Sequence, residues 1–379
     1  MTEKKKIVAL SGTRAEFGKL KPLLKAIDKD SRYEVHLFVT GMHMLEKYGG
    51  TAREVLREFF NVYMYNNQAF GSRLDIVLSN TIYGFSHYVS EIKPDLIIVH
   101  GDRAEALAGA IVSSFNNILV AHIEGGELSG TIDEIIRHSI SKLVHIHFVA
   151  NEQAKKRLIQ MGEKKESIYV IGSPDIDIMF SDDLPSKEDI LKHYEIEFDE
   201  YAILMYHPVT TELEKLGNNV KELVDAIIES ELKYVVIYPN NDPGSNIILN
   251  EYERFNNMPN FKLFPSIQFE KFLVLLKNCK FIIGNSSAGI REAPIYSVPT
   301  INLGSRQKNR FDHESIFNTD ENKDLILNSI NHIIKNSSKF SPSYFFGKGE
   351  SAVKFKNVLE KNSFWETKTQ KHFFDLLDY

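Results

Sequence analysis

Cysteine is almost missing from this chain: Cys279 is the only one in 379 residues, so no disulfide forms within it. Such a chain suits a reducing compartment, and a cytoplasmic location is expected. Positive charge is not in excess either: 45 basic and 51 acidic residues, interspersed, give a net charge of −6. Nucleic acids and anionic membrane surfaces call for a basic face, so neither is an expected partner. No apolar run approaches a membrane-spanning length, and the one following "MTEKKK" is too short for a signal peptide. The G-x-G-x-x-G turn of dinucleotide-binding proteins is missing from the first strand–helix junction. A bound anion must therefore be held locally, by a few placed groups.

What is present is a rhythm. Short apolar runs at 6–12, 34–41, 94–102, 118–126, 146–150 and 167–174 alternate with longer segments of helical periodicity. Hydrophobicity within the runs is continuous rather than alternating, as in parallel strands covered on both faces. The rhythm breaks at the polar stretch "FSDDLPSKEDILKHYEIEFDE" (180–200) and resumes with runs at 201–208, 233–242, 280–287 and 299–304. The pattern predicts an α/β protein of two Rossmann-like, doubly wound domains facing across a cleft. Their expected bounds are 1–184 and 185–362, with 363–379 as a C-terminal helix packing back on the first domain.

Ligands of doubly wound sheets bind beyond the carboxyl ends of the strands, so the residues after each run carry the functional reading. In "FIIGNSSAGIREAP" (281–294), Gly284 permits a tight turn, and Ser286, Ser287 and the following amides form an expected phosphate site. Glu292 is placed to accept hydrogen bonds from ribose hydroxyls. A serine cap followed by a first-turn acid explains the same residues equally well. "SGTRAEFGKLKP" (11–22) supplies Arg14 and Lys19, and "GSRQKNR" (304–310) supplies Arg306, with Arg310 beyond it. An arginine fork and a mobile lysine both suit phosphate oxygens, although one basic loop alone is ordinarily just solvated surface.

The first half carries acids instead. Asp102 ends "LIIVHGD" and Glu124 follows "ILVAH"; adjacent strand ends bring such carboxylates together, which suits paired acid and base work. In "HIEGGELSGTIDEIIRHSI", Thr131 and Glu134 have the form of a capping box, leaving Asp133 as a third acid beside Arg137. Gly125 and Gly126 are expected to let the backbone approach a ligand. His207 closes its strand before Pro208 and points to a phosphate or sugar role. His43, His122 and His138 are weaker candidates, with His43, Arg137 and His138 on the sugar side. No close His/Asp set has metal-ligand spacing, so no metal is expected.

Taken together, these residues resemble the hydrolysing UDP-N-acetylglucosamine 2-epimerases of sialic acid biosynthesis. The carriers are "SGTRAEFGKLKP", "VTGMHM", "HGDRAEALAG", "HIEGGELSGTIDEIIRHSISKL", "IGSPDID", "YHPVTTE", "YPNND" and "GNSSAGIREAP". The resemblance implies a glycosyltransferase-B-like fold and a homo-oligomer, dimer or tetramer. It implies Asp102, Glu124 and Asp133 as acid–base groups, with Arg14, Lys19, His207, Asn240, Ser286, Ser287, Glu292 and Arg306 on UDP. Asn240 enters only through it. Non-hydrolysing members typically read "HVEAGLR" and "GQHRE" where this chain has "HIEGGEL" and "GMHML", so the polar groups of their regulatory site are missing at Met42 and Met44. Relatives acting on diacetamido-trideoxy sugars often carry histidine in place of Glu124.

The expected substrate is UDP-N-acetylglucosamine, with no cofactor, since no hydride moves. Four other readings stay open: a non-hydrolysing epimerase, a hydrolysing epimerase of a UDP-diacetamido-trideoxy sugar, a glycosyltransferase of the same fold, and a non-catalytic UDP-sugar sensor. Crowded carboxylates argue against the sensor, because a mere binder gains nothing by repelling a diphosphate.

Overall fold

A computed structural model of the chain describes residues 4–129, 132–336 and 340–375. It divides into two compact units, the first comprising Met1–Glu127, Asp133–Ser181 and Phe345–Tyr379, the second Leu128–Ile132 and Asp182–Tyr344. Among the described residues no helix is long and apolar enough to cross a membrane.

The first unit is built on seven parallel strands: β1 (Lys5–Ser11), β2 (Tyr33–Val39), β3 (Asn61–Met64), β4 (Leu96–His100), β5 (Leu119–Ile123), β6 (Ile146–Val149) and β7 (Ile168–Val170). They lie in the order β3-β2-β1-β4-β5-β6-β7. Successive residues of β1 supply opposite faces, Ile7 and Ala9 joining one core and Val8 and Leu10 the other. That two-sided burial is why the strand reads as an unbroken apolar run.

The second unit repeats the plan with six parallel strands: β8 (Ala202–Met205), β9 (Tyr234–Ile237), β10 (Phe261–Phe264), β11 (Ile282–Gly284), β12 (Thr300–Leu303) and β13 (Ile316–Thr319). Their order is β10-β9-β8-β11-β12-β13. Both sheets thus reverse direction once, between β1 and β4 and between β8 and β11, the points at which such sheets receive ligands.

The C-terminal stretch departs from the sequence reading. Residues 345–359 do not complete the second unit: the helix Ser351–Leu359 buries Phe355, Val358 and Leu359 in the core of the first, where Phe364 joins them. Nor do the described residues 366–375 form a helix. Helical structure stops at Trp365, and the described tail beyond it is held by polar contacts. Lys371 Nζ donates to the carbonyls of Ser141 and Val144 at 3.0 and 2.9 Å, and meets Glu163 at 2.5 Å. The last carbonyls of a helix lack intrahelical partners, and the Lys371 ammonium supplies one at the end of the helix Ile132–Leu143.

Candidate functional site

In the first unit, the turn after β1 leads directly into the helix Arg14–Asp28. Thr13 caps it by accepting from Glu16 N–H at 3.2 Å, while the Glu16 carboxylate accepts from Thr13 and Gly12 N–H at 3.0 and 2.8 Å. This capping box fixes the first turn, and with it Arg14 and Lys19. Arg14 pairs with Glu54, Nε to Oε2 being 2.9 Å. Lys19 turns into the protein: its ammonium donates to Glu124 Oε1 at 3.1 Å and lies 3.7 Å from Asp175 Oδ2. All three residues are buried.

Glu124 follows β5 with φ of +69°, a left-handed conformation unusual for a side chain with a Cβ. Its N–H donates to Phe148 O at 3.1 Å, so the neighbouring strand holds the kink. Ser173 Oγ lies 3.4 Å and His100 Nε2 3.5 Å from the same Oε1. One strand away, Asp102 pairs with Arg137, whose Nη1 also lies 3.8 Å from Glu127 Oε2. Arg137 is buried and Asp102 partly exposed. Glu124 and Asp102, two of the three expected acid–base carboxylates, are therefore each held by a cation at neighbouring strand ends. Asp133, half-buried in the first turn of the helix Ile132–Leu143, is on the same helix as Arg137.

Several expectations need correction. His43 is not free for a sugar: its Nε2 meets Ser11 Oγ at 3.0 Å and its Nδ1 meets Thr51 Oγ1 at 2.7 Å. Burial, reinforced by Arg14, pushes its pKa down to about 3, so it is a neutral core residue. His122 donates from Nε2 to Gly101 O at 2.7 Å and steadies the turn that carries Asp102. His138 lies 3.6 Å from Glu134 on the same helix, both side chains half-buried. The Thr131 cap proposed for this helix lies outside the described residues. Gly126 makes room for the protein's own chain rather than a ligand, since a Cβ there would stand 2.3 Å from Ala154 O. The half-buried Cys279 donates its thiol proton to Leu276 O at 3.2 Å, and desolvation raises its pKa.

A second acidic pair lies under the same edge. Glu16 and Glu105 are both buried, and a Cβ added at Gly12 would touch both, at 3.3 Å from Glu16 Oε2 and 3.1 Å from Glu105 Cδ. Burial and then the Glu105 charge push the Glu16 pKa up to about 7. The sequence reading missed this pair, and it also missed Asp175 and His100. Their signal was position alone, each being within five residues of a strand end.

In the second unit, Asn285 links the ends of three strands. Its N–H continues the sheet to Met205 O at 3.1 Å. Its side chain accepts from His207 N–H at 2.7 Å and donates to His207 O at 2.9 Å. Its carbonyl accepts from Arg306 Nη1 and Gln307 Nε2, both at 3.2 Å. Gly284 is what allows this closeness: with φ of +133°, a Cβ there would stand 1.9 Å from Met205 O. Asn240 joins the group by donating its backbone N–H to His207 Nδ1 at 3.1 Å, while its side chain meets Asp242 at 2.5 Å. Ser286 Oγ accepts from Ala288 N–H at 3.3 Å, and Ser287 precedes the helix Ala288–Arg291. That helix is a single turn, so its dipole is small, and the N–H groups of Ala288, Gly289, Ile290 and Arg291 already donate to Ser286 or Ser287. Glu292 ends the helix rather than opening it, and is buried.

The structure thus gathers Lys19 and Glu124 with Asp175, Asp102 with Arg137, and His207, Asn240 and Arg306 around Asn285. Comparison with known proteins gives these groups a setting. The family model described as UDP-N-acetylglucosamine 2-epimerase matches residues 25–360. A Neisseria meningitidis serogroup B protein named UDP-N-acetylglucosamine 2-epimerase is 48% identical over 376 residues, 98% of this chain and 99% of its own. A Legionella pneumophila protein named UDP-N,N'-diacetylbacillosamine 2-epimerase (hydrolyzing) is 31% identical, covering 94% of this chain and 96% of its own. The crystal structure of Methanocaldococcus jannaschii UDP-GlcNAc 2-epimerase in complex with UDP-GlcNAc and UDP matches with a TM-score of 0.81. At 22% identity over 93% of this chain and 99% of that one, this is a likeness of fold. By family model and by sequence identity over its length, the chain belongs to the UDP-N-acetylglucosamine 2-epimerase family.

Proposed function

We propose that this chain is a hydrolysing UDP-N-acetylglucosamine 2-epimerase that converts UDP-N-acetylglucosamine and water to N-acetylmannosamine and UDP, in the cytoplasm, for sialic acid synthesis. The supporting observation is the pair of cation-held carboxylates at neighbouring strand ends, Glu124 on Lys19 and Asp102 on Arg137. A base must be kept ionised to take a proton from carbon, and a cation in a buried site does that. The hydrolytic outcome is supported by the name of the Legionella relative and by "HIEGGEL" and "GMHML". Glu124 favours N-acetylglucosamine over a diacetamido-trideoxy sugar.

The difficulty of the reaction is that the proton on sugar carbon 2 is not acidic. As the bond from carbon 1 to the diphosphate oxygen breaks, its electron pair leaves with UDP and carbon 1 becomes electron-poor. A carboxylate then removes the carbon 2 proton from the opposite face, and a 2-acetamidoglucal forms. Water next adds through its oxygen to carbon 1, while a carboxylic acid delivers a proton to carbon 2 from the other face, inverting it. The proton that water loses restores the acid, and the base releases the carbon 2 proton to solvent. In this reading Asp102, Glu124 and Asp133 share the proton transfers. Arg14, Lys19, His207, Asn240, Ser286, Ser287 and Arg306 hold the diphosphate, whose growing charge they stabilise. Glu292 takes the ribose hydroxyls, and the working enzyme is a homo-oligomer.

Steady-state kinetics with separate UDP titration test the assignment. Asp102→Asn and Glu124→Gln are each expected to lose at least ~100-fold in kcat while UDP still binds. Near-parental turnover in both variants would refute it.

A further inference from the structure

The residue at the ligand-receiving point of the second sheet is one to which neither the motif reading nor the proposed binding set gives a role. We propose that Asn285 is a positioning residue for the diphosphate, setting His207 through its side chain and Arg306 through its main-chain carbonyl. This rests on the UDP reading given above.

The sheet itself explains how. β8 and β11 pair in parallel up to Met205 and Gly284, and Asn285 N–H adds one more rung to Met205 O. Pro208 has no N–H, so the chain beyond His207 cannot continue the ladder in the usual way. The Asn285 amide substitutes for the missing partner strand, accepting from His207 N–H at 2.7 Å and donating to His207 O at 2.9 Å. Only a side chain with both a donor and an acceptor makes this two-way pairing. Asn285 is 0% exposed, so water cannot replace it.

With the backbone so held, the His207 ring is fixed by Asn240, whose N–H donates to Nδ1 at 3.1 Å. A neutral ring that accepts at Nδ1 carries its proton on Nε2, so it presents a donor suited to a phosphate oxygen. On the other side, the Asn285 carbonyl takes one N–H of Arg306 and one of Gln307, orienting the guanidinium from the loop after β12. Gln307 is itself steadied by Arg310 Nη1 at 3.0 Å. Two groups from different strand ends are thereby set by one buried residue. An anion that needs both at once feels any loosening of Asn285 more than a neutral ligand does.

The test uses the full-length protein in two arms. First, calorimetric titration with UDP and with uridine is run on the parent, Asn285→Ala, His207→Ala and the double variant. Asn285→Ala is expected to weaken UDP about 10-fold or more while changing uridine affinity little, and the double variant to bind UDP about as His207→Ala does. Parental UDP affinity in Asn285→Ala, equal losses for UDP and uridine, or losses that simply add would overturn the inference while leaving the UDP reading intact. If the parent itself fails to bind UDP, the functional reading and this inference fall together. Second, nitrogen NMR of labelled histidine in the unaltered, ligand-free protein reads the His207 tautomer without any variant having to fold. An Nε2–H ring is expected, and an Nδ1–H ring overturns the arrangement.

Discussion

Glu16 caps the helix Arg14–Asp28 from a buried position against Glu105. Arg103 and His100 also face it and favour its charged form, but burial and Glu105 outweigh them and lift its pKa from the usual 4.5 to about 7. Between those two values the folded protein holds a proton that the unfolded chain has released. Glu16 therefore favours folding most below pH ~4.5, and that contribution fades as pH rises towards ~7. Glu16→Gln keeps an acceptor for the cap and removes the titration. Thermal melts of the two proteins from pH 5 to 8 are expected to show the variant gaining on the parent as pH rises; a constant difference would refute the assignment. At this scale the sequence was most legible where a residue follows a strand and carries charge, as Asp102, Glu124 and Arg306 do. It was least legible for groups whose role depends on a distant partner. Nothing near "GTRAEFGK" announces Glu105, 89 positions after Glu16, and nothing in "YHPV" announces Asn285. His43 misled for the same reason: its partners Ser11 and Thr51 are ordinary residues made special only by the fold.

Among the elements, the ten apolar runs all became strands, and the three strands that the sequence reading omitted are β3, β10 and β13. Each is the outermost strand on its side of a sheet. An outer strand has one neighbour and a partly wet surface, so it needs no unbroken apolar run; Asn61–Met64 is almost wholly exposed. The C-terminal helix shows the converse. Ser351–Leu359 is amphipathic, and no local signal says which core receives its apolar face; the structure puts Phe355 against Phe148 on β6, ring centroids 4.9 Å apart. Phe355→Ala is thus expected to destabilise the first unit by about 3–5 kcal/mol. Chemical denaturation followed by hydrogen exchange checks this, with lost protection in β1, β5 and β6. A loss below about 1 kcal/mol would mean the helix is not part of that core.

Across the whole molecule, acid should act on the two units unequally. Burial lowers the pKa of His43 and His122 to about 3, and it also lowers those of His138, His145 and His147. All five lie in the first unit. Each takes up its proton at lower pH when folded than when unfolded, so their contribution fades as pH falls below ~6.5, for His43 and His122 down to about 3. Glu163 adds to this: burial alone would raise its pKa, but the His147 hydrogen bond with Lys142 and Lys371 holds it at about 2. Hydrogen exchange at pH 7 and pH 5, corrected for intrinsic rates, should show β1, β5 and β6 losing protection before β8 and β11, and equal losses would refute this. The two-sheet plan was legible because continuous apolar runs are the direct mark of buried parallel strands. The chemistry proposed for it is decided most directly by a proton NMR time course of the purified protein with UDP-N-acetylglucosamine in heavy water. The account predicts free N-acetylmannosamine carrying deuterium at carbon 2, released together with UDP. A sugar still joined to UDP, or a free sugar with its original carbon 2 proton, would contradict it.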